Sequence, residues 1–236
     1  MIRKMVKMER PMFKNKSKYC YDNGVLINKK NIQDASLLDA FSRDVTTFRI
    51  SQLTYNNTVI NNFFKLEDYL KLHYFLFQDI FYFAGEIRDE TIYKSNEPYF
   101  TGDNNKTSIF ATPNSIVPQL EYNLSMMGKR VRNIKSRDDL LEYLSYFYGE
   151  LNVIHPFREG NGRTLRTYLK LLVEHLNKYL YTEIGVFELD YSLWSVEDRE
   201  ELLKSTIICN VTCNHNYIKN CFDKVLVEKK TKNKNR

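Results

Sequence analysis

Glycine and proline are scarce, with 8 and 5 among 236 residues. That scarcity excludes collagen-like and low-complexity architectures and leaves room for long helices. Cysteine is sparse too: Cys20, Cys209, Cys213 and Cys221 are the four, and no two form a C-x-x-C pair. A zinc ribbon or dithiol redox centre is therefore not expected. Cys209 and Cys213 are four apart on an expected helix, a spacing that suits packing. No apolar run is long enough to span a bilayer. Residues Met1 to Phe13 carry charge throughout and lack an apolar h-region, so they do not read as a secretory signal. Together these absences predict a cytoplasmic protein with reduced thiols and no membrane partner. No internal repeat is visible.

What is present is globular: 43% hydrophobic and 27% charged residues, enough for one sizeable domain. The net charge of +6 is concentrated at the ends, in Arg3 to Lys18 and Lys229 to Arg236. Residues 1–18 read as a basic extension, 19–227 as the domain, and 228–236 as a solvated tail. No aromatic residue is interleaved with the charges of the tail, so nucleic acid is not an expected partner. Helical periodicity runs through Asp34–Asn56, with Leu37, Leu38, Phe41 and Val45 on one side. It continues through Leu66–Phe81 (Leu66, Leu70, Phe77 and Ile80 as core), Pro118–Met127 and Arg137–Ile154. Ser136 is the expected N-cap of the last of these, with Asp139 three residues on. Leu165, Leu169, Leu172 and Leu176 mark a further helix. Asp190–Lys204 and Thr206–Val227 complete the set. Between them Thr91–Lys94 alternates, 95–98 breaks and Tyr99–Thr101 resumes, which predicts a hairpin. The fold class is mostly α with one small hairpin.

The densest chemistry lies in His155-Pro156-Phe157-Arg158-Glu159-Gly160-Asn161-Gly162-Arg163-Thr164-Leu165-Arg166. His155 titrates near neutrality and can take a proton from a hydroxyl. Pro156 biases it toward extended backbone and ends the preceding helix. Gly160 and Gly162 around Asn161 permit a turn whose amides form an anion nest, at the start of a helix whose dipole favours phosphate. Arg163 and Arg166, three apart on its first turn, share a face and can bind phosphate in forked fashion. Glu159 beside phosphates is a natural Mg²⁺ ligand. Phe157 reads as a core anchor.

This run resembles the signature of the Fic family, His-x-Phe-x-(Asp/Glu)-Gly-Asn-Gly-Arg-x-x-Arg, at every fixed position. Asn23–Ile32 resembles the family's segment ahead of its first long helix. Phe83-Ala84-Gly85-Glu86-Ile87-Arg88 is similar to its Trp-Ala-Gly-Glu-(Ile/Tyr)-Arg element, with Phe83 for Trp. The resemblance covers about Tyr19 to Phe222. It implies a Fic-like helical bundle that transfers AMP from ATP to a Ser, Thr or Tyr hydroxyl of a target protein. By that resemblance His155 is the general base and Glu159 holds Mg²⁺. Gly160, Asn161 and Gly162 form the anion hole, and Arg163 and Arg166 hold the β- and γ-phosphates. The hairpin becomes a flap, with Ile92, Tyr93, Lys94, Tyr99 and Phe100 docking the target. Asn214 and Tyr217 resemble residues near the adenine.

The resemblance also exposes an absence. Many members carry an inhibitory helix, (Ser/Thr)-x-x-x-Glu-(Gly/Asn), whose glutamate pairs with the second motif arginine, here Arg166. No Ser or Thr in this chain has Glu four residues later; Ser195 with Glu200 is one residue too far. That leaves a small antitoxin supplying the glutamate in trans, which would make the chain the toxin of a pair, or an enzyme that is constitutively active or held by a divergent element. Transfer of another nucleotide monophosphate, or a catalytically silent nucleotide-binding or adaptor module, are the alternative functions.

Overall fold

The computed structural model describes residues 17–55, 57–95 and 107–229. In chain order the elements are α1 (Ala35–Tyr55), α2 (Leu66–Phe77), β1 (Tyr93–Ser95), β2 (Thr107–Ile109), α3 (Pro113–Arg130), α4 (Arg137–Ile154), α5 (Asn161–Ile184), β3 (Phe187–Leu189), α6 (Val196–Thr212), α7 (Asn216–Asp223) and β4 (Leu226–Glu228), with single 3₁₀ turns at Val131–Asn133 and Tyr191–Leu193. The architecture is mostly helical, as expected.

Helix α4 forms the axis. Ser136 caps it by accepting from the Asp139 amide at 3.1 Å, and Asp138 and Asp139 in its first turn complement the dipole. Its Leu140, Leu144, Phe147 and Leu151 are buried, and it packs against α3, α5, α6 and α7. Leu165, Leu169, Leu172 and Leu176 of α5 are buried as their spacing predicts. On α1, Leu38 is in the core and Phe41 and Val45 pack against it, but Leu37 is exposed.

Several boundaries differ from the sequence pattern. Helix α2 stops at Phe77, not at 81: the Ile80 amide closes a tighter turn on Phe77 O at 2.9 Å, and the carbonyls of Gln78 and Ile80 accept from Lys29 at 2.7 and 2.8 Å. Helix α3 begins five residues early, with Pro113 at its start and Pro118 inside it; buried Ile116 and Leu120 anchor that turn despite the missing amide. Helix α6 runs through Ser205 to Thr212 and ends where Cys213 turns left-handed, φ 55°. Cys209 is buried, whereas Cys213 is exposed past the helix end. The last segment holds a short helix and then β4, which pairs antiparallel with β3, Phe187 opposite Glu228; the sequence pattern gave no sign of this pair. In the hairpin, β1 pairs with β2, Tyr93 opposite Ile109; the expected second strand at 99–101 lies outside the described residues. Tyr99 and Phe100 lie outside the described residues, as do residues 1–16 and 230–236.

Candidate active site

The site starts at the C-terminus of α4. His155 caps the helix in the left-handed conformation, φ 49° and ψ 61°, not the extended one that Pro156 favours. The left-handed form also breaks the helix before proline, and the neighbouring carbonyls are drawn to Arg88: its Nε donates to His155 O at 2.8 Å, and its amide to Pro156 O at 2.9 Å. The imidazole Nδ1 lies 3.1 Å from Asn152 O. A carbonyl only accepts, so Nδ1 carries the proton and Nε2 keeps its lone pair. The ring stacks on Phe110, centroids 3.9 Å apart. Burial pushes its pKa down to about 4; the Asn152 bond opposes this, and the charges of Lys94 and Arg88 add to it. His155 is therefore neutral at pH 7.

The turn after His155 is clamped. Phe157, fully buried, stacks on the His73 ring at 3.7 Å. The Asn161 side chain grips both polar atoms of the Phe157 backbone, accepting from its amide at 2.9 Å and donating to its carbonyl at 2.7 Å. His73, from α2, accepts from the Gly85 amide through Nδ1 at 2.8 Å. Its Nε2–H then donates to Glu159 O at 3.0 Å. Burial holds it neutral, its pKa pushed down to about 3. Gly160 has φ 83°, and a Cβ there would sit 2.3 Å from the Phe77 ring, so only glycine fits. His73 and Phe110 escaped the sequence reading. A histidine on an apolar helix face carries no motif, and the Phe110 contact depends on hairpin register.

Helix α5 opens on this turn, with Gly160 as its N-cap. The amides of Asn161, Gly162 and Arg163 have no helical acceptor in that position. The two arginines diverge rather than share a face. Arg166 folds over Gly162, where a Cβ would meet its Nη1 at 3.1 Å, and lines the cleft. Arg163 turns to α1, donating to Ser42 Oγ at 2.7 Å and Thr46 Oγ1 at 3.3 Å, and lies over the Phe77 ring. Glu159 Oε1 accepts from the Gly160 amide at 2.9 Å and lies 3.4 Å from Arg163.

The cleft has a volume of about 260 Å³. His155, Glu159, Gly160, Asn161, Gly162 and Arg166 form one side, and Lys94, Ser108 and Phe110 of the hairpin form the edge. The far wall is α6: Arg199, Leu202, Leu203, Thr206, Ile207 and Asn210. Asn210 Oδ1 is buried with no hydrogen-bond partner among the described residues. Asn214 and Tyr217 do not line the cleft. Because α6 continues to Thr212, Asn214 falls in the loop beyond it, accepting from the Asn216 amide, and Tyr217 is 44% exposed. Tyr93 is exposed and Ile92 half-buried beside β1. Among the described residues no three His, Cys, Asp or Glu side chains gather as a metal site.

Comparison with known proteins bears on the family and the fold. Residues 63–173 match the Fic/DOC family. Those residues form a domain of that family. The chain is 30% identical over 188 residues to protein adenylyltransferase VbhT of Bartonella schoenbuchensis, a match that covers 79% of this chain but 34% of VbhT. It thus spans about a third of that relative's length. A probable protein adenylyltransferase Fic of Escherichia coli is 26% identical, over 64% of this chain and 68% of the relative. Among solved structures, BepC of Bartonella tribocorum with bound AMPPNP superposes with a TM-score of 0.71 at 21% identity, covering 90% of this chain and 97% of that one. A Fic-domain protein of Bartonella quintana with bound ADP gives the same score. The Fic fold places the motif turn, hairpin and α6 around one cleft.

Proposed function

We propose that this Fic domain transfers AMP from ATP to a Ser, Thr or Tyr hydroxyl of a target protein. One observation carries the reading: a neutral imidazole with a bare Nε2 opens on the same cleft as the N-terminus of α5 and Arg166. His155 takes the hydroxyl proton as the oxygen bonds to the α-phosphorus. The bond to the β-phosphate oxygen breaks, and pyrophosphate leaves. The first-turn amides of α5 and Arg166 meet the charge that grows there, already oriented. Arg163 joins them by leaving its hydroxyl partners on α1. The names of VbhT and of the Escherichia coli relative support the reaction.

Glu159 suits Mg²⁺. Its Oε1 is engaged, its carboxylate lines the cleft, and a single carboxylate completed by substrate phosphates is this ion's usual protein contribution. When bound, the ion would neutralise phosphate charge. Lys94 at the cleft edge, with Ile92 and Tyr93, is read as the docking edge for an extended target segment; Tyr99 and Phe100 belong to the same reading. For the base, Asn210 replaces Asn214 and Tyr217, because an unpaired buried carbonyl oxygen is matched by an exocyclic amine. ATP and CTP present such a group there, whereas UTP does not.

Regulation in trans is part of the proposal. Ser195, the nearest match to the inhibitory pattern, instead caps α6 in a capping box with Asp198. An antitoxin's glutamate would have to reach Arg166, which lines the main cleft; a second cavity of about 240 Å³ beside α1 reaches Glu159 and Arg163 instead. A cytoplasmic setting fits the four free thiols, and no described helix is long and apolar enough to cross a membrane. The test is incubation with Mg²⁺ and α-³²P-ATP beside γ-³²P-ATP. Protein labelled from the α position alone, and lost in His155→Ala, is the expected result. Label from the γ position would overturn it.

A further inference from the structure

Arg88 is the one guanidinium held almost entirely inside the described structure, 2% exposed. Burial lowers its pKa, yet an arginine stays charged in a protein. A buried cation needs hydrogen-bonded compensation, and here carbonyl oxygens supply it. Nε donates to His155 O at 2.8 Å. Nη1 donates to Glu90 O at 2.6 Å. Nη2 donates to Ala111 O at 2.5 Å and to Ile154 O at 3.3 Å. The Arg88 amide adds Pro156 O at 2.9 Å.

These acceptors fall into two groups. Ile154, His155 and Pro156 form the end of α4, where unpaired carbonyls concentrate negative charge. Glu90 and Ala111 are the feet of the hairpin, ahead of β1 and after β2. Between the feet and the catalytic turn sits Phe110, whose ring stacks on the imidazole. A non-glycine residue in left-handed backbone persists only when its surroundings over-determine it. At His155 Arg88 is such a determinant, taking the carbonyls of Ile154, His155 and Pro156. The left-handed turn in turn brings Nδ1 to Asn152 O, which leaves Nε2 as the free base.

We propose that Arg88 is the positioning residue for His155: one guanidinium holds the hairpin feet and the catalytic turn together and so selects the imidazole tautomer. Target docking on the hairpin then acts on the base through the same group. The proposal rests on His155 being the base, but its test does not require transfer.

The chain has four histidines, so ¹⁵N-histidine labelling yields four imidazoles, assigned with single His→Gln variants. His73 and His155 are expected to show opposite tautomers, Nε2–H and Nδ1–H. In Arg88→Lys the charge stays but the planar fork is lost. His155 should then lose its single Nδ1–H signature while His73 keeps Nε2–H, reporting an intact core. Where wild type transfers AMP, the variant's rate should fall about 10²-fold at unchanged KM for ATP, the scale of a small misplacement. A variant with both signatures intact overturns the proposal. If Arg88→Lys does not fold, wild-type protein with ¹⁵N-arginine decides: separate, slowly exchanging Nη signals for Arg88 support the clamp, and averaged signals overturn it.

Discussion

The two walls of the cleft are built differently. On the motif wall nearly every group is held twice. Phe157 is stacked by His73 and gripped by Asn161, Gly160 is pressed on Phe77, and His155 is held through backbone and ring. On the α6 wall, Asn210 Oδ1 has no partner among the described residues and Leu203 is 39% exposed. Under the proposed function the difference separates two tasks. Charge stabilisation works best from groups that need not move. Recognition of a base requires groups whose hydrogen bonds are still to be made.

The strongest way to break the comparison is at His155. His155→Ala should lower transfer by about 10²–10⁴-fold while ATP binding persists, because the α5 amides and Arg166 remain. Labelling from α-³²P-ATP beside calorimetric ATP titration checks both halves. Loss of binding together with rate would mean that the motif wall is not preformed.

A second contrast is in stability. Phe157→Ala removes a fully buried ring and should cost about 3–5 kcal/mol. Leu203→Ala on the other wall should stay within about 0.5 kcal/mol. Urea unfolding of the two variants side by side measures the gap, and equal costs would erase the distinction between a clamped and an open wall.

How much of this could be read from the chain follows from the range of each interaction. The motif is contiguous, so His155, Glu159 and the Gly160–Arg166 turn were legible as a unit. The leucines of α5 and the Ser136 cap obey local rules and were legible too. The clamps were not. His73 meets Glu159 across 86 residues and Arg88 meets His155 across 67, separations that no local pattern encodes. The end of α6 was misread because Ser205 and Thr206 look like a break. Both are buried inside the helix, Thr206 returning its hydroxyl to Leu203 O. Strands β3 and β4, three residues each, are too short to show alternation.

Base recognition sharpens the comparison further. Asn210→Ala should raise KM for ATP about tenfold, the cost of one hydrogen bond lost in a desolvated site, with little change in kcat. Asn214→Ala and Tyr217→Ala should stay within about twofold of wild type, since neither lines the cleft. Steady-state kinetics with ATP, CTP and UTP test this. A larger effect at Asn214 than at Asn210 would restore the pocket that the sequence suggested.

The smallest expected effect is in pH, where two histidines move in opposite directions. His155 is depressed to about 4. Its neutral form, and the stability tied to it, is complete above the unfolded value near 6.5 and is lost as pH falls through 4. His215, between α6 and α7, is pushed up to about 9, first by its hydrogen bond to Cys209 and then by Glu150, 3.3 Å away. Its contribution is complete below 6.5 and fades as pH rises through 9. From pH 6.5 to 9, therefore, the labelling rate should show no histidine step while the thermal midpoint drifts down by a few degrees. His215→Gln should flatten that drift and leave the rate unchanged. A rate that titrates near 6.5 would mean that His155 lies in water rather than against Phe110, and the motif wall would then be as open as the one it faces.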